Sequence, residues 1–282
     1  WFERRRGTAL ALIASGQYIS GAFWPPLFER AIAAWGWRQT MWSFGLLVAV
    51  TVVPLALIFL KMPPAHPEAS GAGAGGAADQ GRALGLPKNV TFWLLAVASF
   101  LCCIPMAMPQ THLIALCGDL GMLPSTGALM LSLLLVCAFI SRQLWGALSD
   151  RIGGLKTLLL GSAAQATAVA GFLFTQSEAG LFIVSAAFGL GFAGLIPAYV
   201  LTARQIFPAR EASWRMPMLL LTGMSGMAMG GWSAGVLHDH FGFYAPAFAT
   251  GLTANLVNFA ILATLVLLWR RERYAPVAAR AA

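Results

Sequence analysis

Arg142 has the clearest capacity for chemistry in this chain. It interrupts an otherwise apolar run and stands eight residues before Asp150. At the helical rise it lies about 12 Å deeper than that aspartate. An arginine at such depth costs roughly 2.5–3.5 kcal/mol on insertion scales, so it ordinarily faces a bundle interior or a water-filled cavity. Ala138, Arg142, Gly146 and Asp150 recur every four residues and share one helical stripe, whose small members leave room beside the guanidinium. A planar fork of N–H donors matches a carboxylate, which predicts a cationic anchor for an anionic substrate. The bland uses of the same side chain are snorkelling to the interface or clamping backbone carbonyls.

Other polar groups sit in apolar surroundings. Pro105 and Pro109 precede Gln110, Thr111 and His112. Proline frees carbonyls and kinks a helix, which is tolerated where a cavity or another group satisfies them. Gln110 and His112 are therefore expected to line a pathway, and a histidine there can sense pH; an interhelical hydrogen bond is the ordinary use of His112. Tyr18 and Tyr199 are further polar handles within spans, with packing the ordinary use of each. Tyr199 joins Arg142, Gln110 and His112 as a candidate substrate-binding residue. His238-Asp239-His240 falls at a helix end, where two ligands rarely suffice, so no metal is expected. Cys102, Cys103, Cys117 and Cys137 show neither disulfide nor zinc spacing and read as packing residues. No catalytic triad, phosphate loop or cofactor motif is present, so the chain is not read as an enzyme. No Asp or Glu lies mid-span, which leaves any coupling partner, a proton or a counter-anion, to be supplied elsewhere.

The elements that must position these groups follow from composition. The chain has 282 residues, 59% hydrophobic and only 10% charged, against roughly 25% charged in soluble domains, and a mean hydropathy of +0.74. Water cannot solvate most of such a chain, so the lipid bilayer is its expected surroundings. Apolar stretches near the span length predict eight transmembrane helices, at about 7–33, 39–60, 91–114, 125–148, 156–175, 180–203, 216–237 and 244–269. Between the second and third lies a Gly-, Ala- and Pro-rich linker, 61–90. The net charge of +8 does not indicate nucleic acid, because the basic residues collect in short loops on one side. Arg4, Arg5, Arg6, Lys61, Arg82, Lys88, Arg151, Lys156, Arg204, Arg210, Arg215, Arg270, Arg271, Arg273 and Arg280 fall there; Arg30 and Arg38 fall opposite. That alternation predicts a cytoplasmic placement for each end.

A weak internal repeat accompanies it. Gly36-Trp37, Trp42 and Gly45-Leu46 enter the second span; Gly242-Phe243, Phe248 and Gly251-Leu252 enter the last at identical spacing. Parallel repeats of this kind build two halves around a central site. The first residue is Trp1, and four helices are expected to be missing at the front. Residues 1–60 then close an N-terminal half, 91–270 form a six-helix C-terminal half, and 271–282 are a cytoplasmic tail.

The stretch Gly146-Ala-Leu-Ser-Asp150-Arg151-Ile-Gly153 resembles the cytoplasmic loop signature of the major facilitator superfamily. Gly154 and Leu155 intervene before Lys156, where the family usually places two basic residues at once. The resemblance implies an all-α, alternating-access helix bundle. It also implies a latch in which Asp150 and Arg151, with Gly146 and Gly153 shaping the turn, meet the start of the first span near Arg5 and Arg6. Phe139-Ile-Ser-Arg142-Gln-Leu-Trp-Gly146 further resembles the eighth helix of monocarboxylate transporters and oxalate–formate antiporters, whose substrate-binding arginine precedes the glycine by four residues. Ala138 stands where the monocarboxylate carriers have an aspartate, and 216–237 lacks the antiporters' second cation. The resemblance therefore implies a carrier of a small organic anion, a monocarboxylate before a dicarboxylate, in a bacterial inner membrane. A drug-efflux member of the same superfamily and a non-transporting membrane scaffold are the rival readings.

Overall fold

The computed structural model describes residues 12–13, 15–59 and 82–274. Arg5, Arg6, most of the linker and the final tail lie outside the described residues. Eight helical segments carry nearly all of the rest: α1 Gly16–Phe59, α2 Lys88–Asp119, α3 Pro124–Ile152, α4 Gly154–Phe174, α5 Glu178–Phe192, α6 Leu195–Ile206, α7 Ala209–Phe241 and α8 Ala245–Tyr274. A two-residue antiparallel ladder pairs β1, Arg82–Ala83, with β2, Leu86–Pro87. Its turn residues Leu84 and Gly85 both have positive φ, 58° and 74°, the backbone signature of a tight hairpin. The result is an all-α helix bundle with this small hairpin beside it.

The segments correspond to the predicted spans with two rearrangements. α1 covers two predicted spans as two helical arms joined at a kink, where Gly36 has φ 77°, ψ 159°, a conformation that essentially only glycine adopts. The chain doubles back there: the Trp24 and Phe44 rings lie 4.7 Å apart between centroids, although twenty residues of straight helix would separate them by about 30 Å. The predicted boundary between 33 and 39 is thus one residue's backbone. The predicted span 180–203 is instead two helices, α5 and α6, broken at Ala193-Gly194.

Six stretches among the described residues are long and apolar enough to cross a membrane: Arg30–Phe59, Lys88–Asp119, Pro124–Ile152, Gly154–Phe174, Glu178–Ile206 and Ala245–Glu272. Of the eight predicted spans, 7–33 and 216–237 are not among them. The described part of the first carries Gln17, Tyr18, Ser20 and Arg30. The second, within α7, is built of Gly, Ser, Met and Trp more than of aliphatic residues. α7 is nevertheless 33 residues long and forms the most extensive helix pair of the bundle, with α2. The reason is local: a Cβ on Gly226 or Gly230 would strike the Phe100 or Ile104 carbonyl oxygen of α2. Glycine at both positions brings the backbones together, as in small-x-x-x-small membrane interfaces.

α3 and α4 meet at Gly153, whose φ of 86° lets its N–H close α3 on the Ser149 carbonyl at 3.0 Å. The following Gly154 donates its N–H to Gln205 Oε1 at 3.0 Å, and its missing Cβ faces Thr202 and the Ala198 carbonyl. The extra glycine in the loop signature is therefore where α4 rests against α6. Lys156, displaced by that insertion, holds its ammonium 5.1 Å from the Trp269 ring centroid on α8.

Candidate cavity around Arg142

Arg142 is buried to 2% exposure on α3. Its Nη2 donates to the Tyr18 hydroxyl at 2.8 Å, and its Cζ lies 4.2 Å from the Tyr18 ring centroid. Next to it, Gln143 Nε2 donates to Ser15 Oγ at 2.5 Å. These contacts tie the first arm of α1 to α3. Tyr18 itself packs edge-on against Phe192, 5.9 Å away, at the end of α5.

A further contact of the guanidinium comes from a helix break. Arg142 Nε donates to the Ala193 carbonyl at 2.9 Å. In a continuous helix that carbonyl would accept from the N–H of residue 197, but residue 197 is proline and has none. One turn back in α5, the Leu190 carbonyl accepts from Ser141 Oγ, one residue before Arg142, at 2.7 Å and from Trp145 Nε1, three residues after it, at 2.8 Å. α3 thus reads the loosened end of α5 through three polar side chains within one turn or so, Ser141, Arg142 and Trp145. Gly194 has no room for a Cβ because Trp145 fills the space.

Arg142 lines a cavity of about 340 Å³ between α1, α2, α3, α6 and α7. Gln17, Tyr18 and Gln110 are the other polar side chains on its wall. Met106, Met224 and Met227 supply thioethers, and Ile196, Pro197, Val200 and Leu220 complete the lining. Arg142 is the one charged residue among the described residues that line it. A single guanidinium with flanking hydroxyl and amide groups, in an otherwise apolar wall, can hold one carboxylate and orient it.

The predicted site residues separate into four places. Gln110 is on the cavity wall, with its Nε2 donated to the Met106 carbonyl at 2.6 Å. His112 is not: it ties α2 to α7 and to the turn just before α8, at the far end of the bundle from Asp150. Its Nε2 lies 2.9 Å from the Gly231 carbonyl and its Nδ1 3.1 Å from the Tyr244 hydroxyl. The carbonyl can only accept, which puts the proton on Nε2 and lets Nδ1 accept from tyrosine. Tyr199 is also off the cavity wall. It begins a buried chain in which its hydroxyl donates to Asn258 Oδ1 at 3.0 Å, Asn258 Nδ2 donates to Ser162 Oγ at 2.8 Å, and Ser162 Oγ donates to Asn255 Oδ1 at 2.8 Å. Asn255 Nδ2 then donates to Gln165 Oε1 at 2.9 Å, and Gln165 Nε2 to the Cys102 carbonyl at 3.2 Å. The chain joins α6, α8, α4 and α2, and satisfied in this way it fixes their packing. Asp150 and Arg151 stand exposed at the end of α3, beside the buried Gly146 and the Gly153 turn; Arg5 and Arg6 lie outside the described residues.

Sequence reasoning passed over Tyr18 and Pro197 as site residues and grouped Arg215 with the loop cations. Arg215 is 3% exposed, with its Cζ 5.1, 4.5 and 4.7 Å from the Phe92, Phe207 and Trp214 ring centroids. It donates to Asn89 Oδ1 at 2.9 Å and pairs with Glu211 at 3.0 Å, while Lys88 reaches the same carboxylate at 3.3 Å. The local signal available was the neighbouring Trp214 and Glu211 four residues before Arg215, an i,i+4 pair.

Known proteins agree with this architecture. Bovine (Bos taurus) monocarboxylate transporter 13 is 24% identical over 270 residues, 94% of this chain and 61% of that protein. Multidrug resistance protein MdtG of Salmonella arizonae is 31% identical over 150 residues, 53% of this chain and 35% of its own length. The crystal structure of the E. coli fucose:proton symporter FucP superposes with a TM-score of 0.56 at 17% identity, covering 79% of this chain and 54% of that one; at that identity the likeness is one of fold. Where curated relatives match most of this chain, it spans 56–61% of their length. The family profile described as Major Facilitator Superfamily matches residues 95–281, from the second turn of α2 to the end, and on that match the chain belongs to the Major Facilitator Superfamily of multi-pass membrane transporters.

Proposed function

We propose that this protein moves an organic monoanion across a membrane by alternating access, with Arg142 as the anchor for the anion's carboxylate. The observation that carries the reading is a guanidinium on the wall of a cavity between the first arm of α1 and helices α2, α3, α6 and α7, in which no acidic residue is among the described lining residues. The likeness to a monocarboxylate transporter supports it from sequence. Residues 1–60 then belong to one half of the carrier and 91–270 to the other, with 61–90 as linker and 271–282 as tail. The basic residues orient the chain with the Asp150 end and its C-terminus in the cytoplasm, in a bacterial inner membrane. Asp150 and Arg151 latch that end against the Arg5 and Arg6 region in one state, with Gly146 and Gly153 shaping the contact. A proton or a counter-anion supplies the coupling.

The test is uptake of labelled carboxylates by the full-length protein, with Arg142→Gln alongside. A charge-assisted hydrogen bond contributes about 1.5–3 kcal/mol, so the variant should lose roughly 10- to 100-fold in apparent affinity. Unchanged uptake by Arg142→Gln removes the anchoring role. The similarity to a multidrug resistance protein favours efflux of apolar cations as a second reading; such transport would survive the loss of Arg142.

A further inference from the structure

The lining of the cavity is divided. Its polar groups, Gln17, Tyr18, Gln110 and Arg142, come from α1, α2 and α3, whereas everything contributed by α6 and α7 is apolar. On α7 the contributors are Leu220, Met224 and Met227, spaced i, i+4, i+7, so one helical stripe faces the opening. Leu220 and Met224 are exposed, at 37% and 47%, although they sit at the inner wall of the bundle. Methionine on such a wall is unbranched and polarizable and adapts to apolar groups of varied outline.

We infer that the substrate of this cavity is amphipathic: one carboxylate at Arg142 and an aryl or alkyl body, about the size of phenylacetate or hexanoate, against the Leu220–Met224–Met227 stripe. The inference rests on the proposed function and narrows its substrate class. A three-carbon hydroxy acid would leave most of a 340 Å³ cavity and its whole apolar wall in contact with water. Its hydroxyl would find acceptors only on the side already used by the carboxylate. A dicarboxylate would put its second charge against thioethers and aliphatic side chains, and a sugar would strand several hydroxyls there. An apolar body instead removes wall and ligand from water together, and each methylene so buried raises affinity roughly fourfold.

The experiment measures binding, which passive diffusion of acids through lipid cannot mimic. Full-length protein in nanodiscs is titrated calorimetrically with acetate, butanoate, hexanoate, phenylacetate, lactate and succinate, for the natural sequence and for Arg142→Gln. The expected result is affinity that rises from acetate to hexanoate by roughly an order of magnitude per two methylenes, phenylacetate well above lactate, succinate weakest, and all of it lost in Arg142→Gln. Met224→Gln and Met227→Gln should flatten the chain-length slope, costing hexanoate more affinity than butanoate and butanoate more than acetate. A flat series, or lactate above hexanoate, with binding still dependent on Arg142, overturns this inference and leaves the anion-carrier reading standing. No Arg142-dependent binding of any carboxylate overturns both.

Discussion

The Tyr18 hydroxyl accepts from Arg142 Nη2 at 2.8 Å across 124 residues of sequence, and the same tyrosine lies under the guanidinium with its ring. This contact joins the first arm of α1 to α3 at the wall of the cavity. A phenol that accepts from the guanidinium keeps its own proton, which can be donated to an anion bound there. Tyr18 is thus both a support for Arg142 and a second donor beside it.

Removal of that hydroxyl separates the two roles. Tyr18→Phe keeps the ring under the guanidinium and deletes one hydrogen bond, worth about 0.5–1.5 kcal/mol. The expected outcome is a several-fold loss of carboxylate affinity with a small drop in unfolding temperature, both measured on the purified protein.

Pro197 offers the converse test. Pro197→Ala returns an N–H at the position that would bond the Ala193 carbonyl, in competition with Arg142 Nε. Helix continuity should improve, since proline in a helix interior costs about 3 kcal/mol relative to alanine. Substrate affinity should fall because the guanidinium loses the Ala193 carbonyl as an acceptor at Nε. Thermal stability that rises or holds while affinity drops is the expected pair of readings; affinity that stays level would show that the Ala193 contact does not position Arg142.

The α2–α7 contact should discriminate neighbouring glycines. A Cβ at Gly230 collides with the Ile104 carbonyl, whereas one at Gly231 meets only the Thr111 side chain at an ordinary 3.7 Å. Gly230→Ala should therefore destabilise by about 1–3 kcal/mol, the range for overpacking, and Gly231→Ala should be close to neutral, as read from thermal unfolding in detergent.

Arg215 should not tolerate lysine. The planar guanidinium touches three aromatic rings and reaches Asn89 and Glu211 at once, and an ammonium lacks both the face and the fork. Arg215→Lys is expected to destabilise by about 2–4 kcal/mol, from a cation–π share near 0.5–1 kcal/mol and one charged hydrogen bond of about 1.5–3 kcal/mol. Equal unfolding temperatures for the two proteins would place the stabilisation elsewhere.

Much of the fold was legible because membrane spans are local. Twenty consecutive apolar residues identify a span without reference to any partner, and Gly36 and Gly153 mark reversals that a side chain would forbid. Arg142 stood out for the same reason: its burial cost is written in its immediate neighbours. His112 and Tyr199 were legible as polar groups inside spans but not as to their use. The first bonds residues 119 and 132 positions away, and the second bonds Asn258, 59 positions away.

From the sequence alone came the membrane class, the approximate spans and the one cation that demands a cavity, since each depends on transfer free energies summed along a short stretch. Tertiary structure alone decided which groups meet that cation. The carbonyl released by Pro197, the phenol of Tyr18 and the methionine stripe of α7 come from three separate helices, and their distances to Arg142 depend on how those helices pack. Proline announces that a carbonyl is free; only the packed bundle shows that α3 delivers a guanidinium to it.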